Sequence, residues 1–241
     1  MSEMTFKDAK LDLLGTEDNL ESLNSPLVQA FVALCTLYPP AAIVATAASG
    51  IYKSILERRH KEQRDTILKI IARGTETIRA EDVENIEFIN AAELLLQARE
   101  KIKRNEKLTL AAKLFRGCLL SDKFSNFDEY EEWLNIIVSC SYRELWMLIK
   151  LYEYESEHVG VKGGRLTVIY SYWDGYYSDI KNKFGLADSE INSIMLRLQT
   201  TGFYRVGLAT YKSGNPYAGS TTSYFRRFAE KLKTDGQFDL Q

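Results

Sequence analysis

The stretch Leu186–Leu232, LADSEINSIMLRLQTTGFYRVGLATYKSGNPYAGSTTSYFRRFAEKL, carries the reading of the fold. Asp188 or Ser189 offers a side-chain oxygen to an unpaired first-turn N–H, and Glu190 suits the positive end of a helix dipole. Ile191, Ile194, Met195 and Leu198 then recur at spacings of three and four, which is one apolar helix face. Gly202 follows as a helix terminator, because glycine enters the left-handed region without a Cβ clash. Phe203 to Tyr211 is rich in aromatic and β-branched residues and predicts a strand. Ser213-Gly214-Asn215-Pro216 is turn chemistry, and Tyr217 to Thr221 predicts a second short strand. Thr222 or Ser223 caps a last helix that holds Phe225, Phe228, Ala229 and Leu232 on one side.

Helix, glycine, hairpin and capped helix follow one another in the order of a winged helix-turn-helix. The stretch resembles the end of many bacterial winged-helix domains, in which an Arg-Leu-x-x-x-Gly-Phe turn leads into the wing. A helix with a Thr followed six residues later by a Phe comes next. Arg197, Leu198, Gly202, Phe203, Thr222 and Phe228 are the matching residues. The resemblance covers about a fifth of the chain and implies a fold rather than a function.

Upstream, Tyr170, Trp173, Tyr177, Ile180 and Phe184 step by three and four, which predicts a helix core stripe. This helix forms the first half of the helix-turn-helix, with Gly185 in the turn. Its aromatics interleave with Lys181 and Lys183, a pattern that also suits stacking on unpaired bases, but the periodicity favours core. Gly160-Val161-Lys162-Gly163-Gly164-Arg165 is the clearest joint in the chain. It lacks the Gly-Lys-Ser/Thr ending of a phosphate-cradling loop and reads as a linker or turn.

The 241 residues carry a net charge of −2, which argues against coating nucleic acid by bulk charge. Hydrophobic content of 45% and charged content of 27% are those of a globular protein with a sizeable core. Cys35, Cys118 and Cys140 lie far apart in apolar contexts, so they read as reduced core thiols rather than a disulfide framework or a zinc site. No basic region followed by an early apolar run marks a cleaved leader.

Residues 1–25 read as a polar, acidic arm, 26–158 as a helical body, and 165–234 as the winged-helix-like domain. The expected fold class is therefore mainly α, a helical bundle followed by a winged helix-turn-helix with a small β-hairpin wing. Ser22 to Tyr52 contains no charged residue. Pro39-Pro40 cuts this run, and neither half reaches the roughly 20 apolar residues that a membrane span needs. A buried helical hairpin with its corner at Tyr38-Pro39-Pro40 is the preferred reading, and membrane contact is the alternative. Lys53, Arg58, Arg59 and Lys61 would then hold the following body on the cytoplasmic side. Small residues from Ala41 to Gly50 suit close helix contact in either medium. Within 27–55, Phe31, Leu34, Leu37, Ile43, Val44 and Ile51 form the candidate partner or membrane surface.

One long helix is expected from Ala41 to Arg73, with ERRHKEQRDT (57–66) as a solvated middle laced by i,i+4 ion pairs and His60 at its surface. Glu81 to Arg104, with Ile86 and Ile89 among its apolar positions, and Leu108 to Leu120 read as buried helices. The basic KIKRNEK (101–107) lies between them. Ser125-x-x-Asp128 and Ser141-x-x-Glu144 read as helix starts. Asp128, Glu129, Glu131 and Glu132 suit the helix dipole rather than acid–base chemistry.

The layout as a whole resembles that of uncharacterised bacterial and phage-associated proteins with an N-terminal helical body and a C-terminal winged-helix-like domain. Glu57-Arg58-Arg59, Lys107 with Leu114-Phe115, and Ser141-Tyr142-Arg143-Glu144-Leu145 carry that likeness. It implies the fold and a mobile-element or phage-conflict setting.

His60 and His158 are the two histidines, and no nucleophile–base arrangement, cofactor motif or metal-ligand spacing stands out. The expectation is a non-enzymatic interaction protein with no cofactor and a protein as its partner. A DNA-binding regulator is the alternative. It would insert the 189–201 helix in a major groove, with Asn192, Arg197, Gln199, Arg205, Lys212, Arg226 and Arg227 as candidate contacts. That helix carries Arg197 as its one basic residue, which favours protein over DNA. Membrane and a second copy of the chain are further candidate partners. The expected location is the cytoplasm, with inner-membrane attachment as the alternative.

Overall fold

A computed structural model of the chain describes residues 26–37, 50–72, 78–207 and 216–233. Among them the protein is mainly helical, with one two-stranded antiparallel hairpin. It divides into two compact units, Met1–Val138 and Ser139–Gln241. The N-terminal arm, the Pro39-Pro40 corner, Ile43, Val44, Lys212 and the 213–215 turn lie outside the described residues.

In the first unit, α1 (Pro26–Leu37), α2 (Gly50–Ile71), α3 (Ala80–Val83), α4 (Ile86–Lys101), α5 (Asn105–Asp122) and α6 (Phe127–Ser139) gather around Phe115. Its ring meets Phe31, Phe88, Phe124 and Tyr130 at centroid distances of 5.9, 5.7, 5.0 and 6.2 Å. Such edge-on and tilted pairs add to the burial of their large apolar area. Phe31, expected on a partner or membrane surface, is therefore an interior residue with no exposure. Leu34 is half-buried. Leu37 and Ile51 lie in α1 and α2, and their side chains are outside the described set. No helix among the described residues is long and apolar enough to cross a membrane.

The expected Ala41–Arg73 helix is described from Gly50 to Ile71, and its polar middle is less solvated than its composition suggests. Gln63 is buried, and its amide donates to the Ile102 carbonyl at 3.2 Å, beside an Arg59 guanidinium bond to the same oxygen at 3.3 Å. These bonds satisfy a carbonyl at the end of α4 that the helix itself leaves open. His60 is half-buried rather than a surface residue. The expected Glu81–Arg104 helix is broken in two, because the Asn85 side chain accepts from Glu87 N at 3.0 Å and starts α4 afresh. Ile86 thereby becomes a first-turn residue at 61% exposure instead of a core position.

The second unit comprises α7 (Tyr142–Glu157), α8 (Arg165–Phe184), α9 (Asp188–Thr200), β1 (Tyr204–Val206), β2 (Gly219–Thr221) and α10 (Ser223–Leu232). The sequence reading placed 142–157 with the helical body. Here α7 packs on α8 and β2 instead, so the division falls at 138/139 and not at the glycine-rich joint. The Ser141 capping box is formed: Ser141 Oγ accepts from Glu144 N at 3.2 Å, and Glu144 Oε2 accepts from Ser141 N at 2.7 Å. The interior stripe of α8 is Ile169, Tyr172, Trp173, Tyr176 and Ile180, rotated from the expected one, with Tyr170, Tyr177 and Phe184 only half-buried. Aromatics on both sides of Trp173 made either rotation compatible with the spacing. Gly185 takes the left-handed conformation expected in the turn (φ 63°), and Gly202 does the same after α9 (φ 76°).

Neither Asp188 nor Ser189 caps α9. Ala187 is the capping position, and its N–H donates to Glu190 Oε2 at 2.8 Å. Asp188 pairs with Lys181 at 2.5 Å. The α9 face of Ile191, Ile194, Met195 and Leu198 is buried, as are Phe225, Phe228, Ala229 and Leu232 of α10. Thr222 caps α10, with its Oγ1 accepting from Phe225 N at 3.2 Å. The hairpin pairs Tyr204 with Thr221, Arg205 with Ser220 and Val206 with Gly219.

Candidate anion-binding cleft

A cleft of about 490 Å³ opens in the second unit where the end of α7, the start of α8, the hairpin and the start of α10 converge. Arg165, Val168, Ile169 and Tyr172 line it from α8, and their i, i+3, i+4, i+7 spacing puts them on one helix face. Tyr172 is pinned at its far end, where its hydroxyl donates to the Gly219 carbonyl at 3.0 Å. Arg205 and Ser220 are directly opposed in the hairpin and therefore share a face. The Arg165 guanidinium donates to Ser220 Oγ at 2.8 Å, so one serine ties α8 to the strand that carries it. Burial, and next the neighbouring Arg205, hold the Arg165 guanidinium below its ordinary pKa.

Glu155 is the single acid in the lining, and it is already engaged. Its carboxylate accepts from Thr221 N and Thr221 Oγ1, both at 2.5 Å, and from the Arg226 guanidinium at 3.2 Å. With Glu155 9% exposed and Arg226 54%, the pair is a buried anchor with a cation at its outer rim. Three guanidiniums against one carboxylate leave the cleft with two positive charges in excess. Arg205 is exposed and has no ion-pair partner among the described residues. Thr222 and Ser223 place the first turn of α10 at the rim, with the positive end of its dipole. Val159, 82% exposed, together with Val168 and Ile169 supplies an apolar side.

Guanidinium groups keep their charge across the accessible pH range and offer planar paired donors to carboxylate or phosphate. The arrangement is suited to holding an anionic group with an apolar attachment.

The structure brings together two of the sequence-derived candidates, Arg205 and Arg226, and places Asn192, Arg197, Gln199 and Arg227 outside the cleft lining, while Lys212 lies outside the described residues. Arg197 pairs with the buried Glu144 at 3.0 Å and so braces the start of α7. Asn192 is half-buried on α9 and Gln199 is exposed on the same helix. Arg227 lies over the Tyr224 ring at 5.5 Å, away from the cleft lining. Sequence reasoning missed Glu155, Arg165, Tyr172 and Ser220. Arg165 carries the only usable signal, a cation closing a glycine-rich joint at a helix start, where the sequence reads as a linker or turn. Among the described residues no group of His, Cys, Asp and Glu is arranged to hold a metal ion.

No family model matches the chain, and neither a curated protein nor a solved structure is significantly similar to it.

Proposed function

We propose that this chain is a non-enzymatic interaction protein whose C-terminal unit, read as a winged helix-turn-helix, grips an anionic group of a protein partner in the cleft of Arg165, Arg205 and Arg226. The observation that carries this reading is the excess of two positive charges in a cleft whose one acid is occupied. A protein partner is favoured over DNA by the charge of α9, the helix that would enter a major groove. Asp188 in its first turn is paired with Lys181, Glu190 there adds an acid, its one basic residue is tied to Glu144, and Leu196 is 46% exposed in its middle. Such a face offers phosphates no unpaired cation and presents an apolar contact instead.

The test is co-purification of the full chain from its host cells, comparing wild type with Arg165→Gln/Arg205→Gln. Loss of the same co-purifying protein from the double variant, with retention in Arg197→Ala, supports the reading. Retention in the double variant sinks it. So does a salt-sensitive shift of duplex DNA that the double variant abolishes, since that outcome installs the DNA-binding regulator in its place.

A further inference from the structure

We propose that the cleft selects a phosphate monoester, held as a dianion between Arg165, Arg205 and Arg226, with its organic body lying along Val159, Val168 and Ile169. The proposal deepens the anion-binding reading above and rests on it.

Charge is the first argument. The lining excess of two positive charges matches a phosphomonoester, which carries close to two negative charges at neutral pH, better than a carboxylate or sulfate ester with one. The existing acid cannot supply the missing charge, because Glu155 spends its oxygens on Thr221 N, Thr221 Oγ1 and Arg226. Geometry is the second. Arg165 and Arg205 approach Ser220 from α8 and from the paired strand, and Arg226 stands on the first turns of α10. Donors from three elements suit a tetrahedral group with several acceptor oxygens, whereas a flat carboxylate is satisfied by one paired guanidinium. Like-charge crowding of Arg165 by Arg205 is also relieved when a dianion enters. Shape is the third argument. A volume of about 490 Å³ exceeds what bare phosphate fills and lies in the range of small organic ligands or one side chain of a partner. Next to Arg165 on the same α8 face, Val168 and Ile169 make the lining aliphatic, and Val159 adds to it.

Calorimetric titration of the full chain at low ionic strength with phenyl phosphate, phenyl sulfate and inorganic phosphate tests this. Phenyl phosphate is expected to bind at least about tenfold tighter than its singly charged isostere phenyl sulfate, the effect of about one charge-assisted hydrogen bond. Arg205→Gln should remove about tenfold or more of the phenyl phosphate affinity. Arg205 is exposed and without an ion-pair partner among the described residues, so the fold does not depend on it. Arg227→Gln, outside the lining, should leave affinity unchanged. Val159→Ser should weaken phenyl phosphate and spare inorganic phosphate. Equal affinity for phosphate and sulfate esters, both weakened by Arg205→Gln, overturns the phosphomonoester proposal while leaving the anion-binding reading intact. Binding that Arg205→Gln does not alter places the anion elsewhere and overturns the proposal. No binding of any of the three anions overturns the proposal and the reading together.

Discussion

Glu155 lines the cleft, yet its carboxylate serves the framework. Its carboxylate satisfies a strand N–H, a threonine hydroxyl and a guanidinium from a third element, so its charge is consumed in construction. The lining keeps a surplus of positive charge, and Arg205 is left without an ion-pair partner among the described residues. His60 illustrates the opposite economy. Both its ring nitrogens are buried without a hydrogen-bond partner among the described residues. Burial first, then the cations Arg99 and Arg59, lower its pKa, with Glu100 opposing them and Lys103 adding to them. A depressed folded pKa means that the unfolded chain takes up this proton more readily. The contribution of His60 is thus fully present above the ordinary histidine value near 6.5 and is lost as pH falls through it towards the folded value. Thermal midpoints should accordingly drop between pH 7.5 and 5.5 more steeply in wild type than in His60→Gln. Identical slopes would show that His60 titrates alike in both states.

At the scale of the element, the hairpin is held as much by what its residues lack as by what they carry. Gly219 packs against the Tyr204 hydroxyl and the Arg205 carbonyl, and a Cβ at that position would collide with both. The Tyr204 hydroxyl also donates to the Tyr217 carbonyl, so the ring is not free to swing away. Gly219→Ala is expected to destabilise the second unit by about 1–3 kcal/mol or more, the usual cost of forced overpacking. The same change should displace Ser220 and Arg205, so phenyl phosphate binding should fall with stability in this variant. Denaturant melts and titration on one preparation check both, and a variant of unaltered stability would refute the close-packing account. The cap of α7 is legible in its Ser-x-x-Glu box and that of α10 to within Thr222 or Ser223, because caps act through neighbours three residues away. The broken helix at Asn85 was not read from its sequence, since apolar spacing continues across the break.

Across the whole chain, each unit closes around its own aromatic centre: Phe115 with four ring neighbours in the first, and Phe203, Phe225 and Phe228 within 5.0–5.7 Å of one another in the second. Truncation of a ring at such a centre loses the transfer free energy of its atoms and leaves a cavity. Phe115→Ala is therefore expected to cost about 3–5 kcal/mol. Hydrogen exchange on the full chain should show the loss of protection in α4 and α5. Undiminished protection there would mean that Phe115 is not the keystone its contacts make it. The absence of charge from Ser22 to Tyr52 suits a buried hairpin first and membrane contact second, and Leu27, Val28 and Phe31 lie in the interior. Apolarity records that a residue avoids water and leaves open whether protein or lipid replaces it.

Local chemistry accounts for what the sequence alone determined. Helical periodicity, the caps at Ser141 and Thr222, the left-handed glycines at Gly185 and Gly202, and the buried faces of α9 and α10 all depend on residues within a few positions of one another. Tertiary structure alone decided which face of the α8 aromatic run turns inward, that α7 packs with the C-terminal unit, and that Arg197 is spent on Glu144. It also decided that Arg165, Arg205 and Arg226, separated by 21 to 61 positions, share one cleft with Glu155. The physical reason is that burial and charge pairing are set by distances in space, and a side chain's neighbours across elements leave no periodic trace in its own segment.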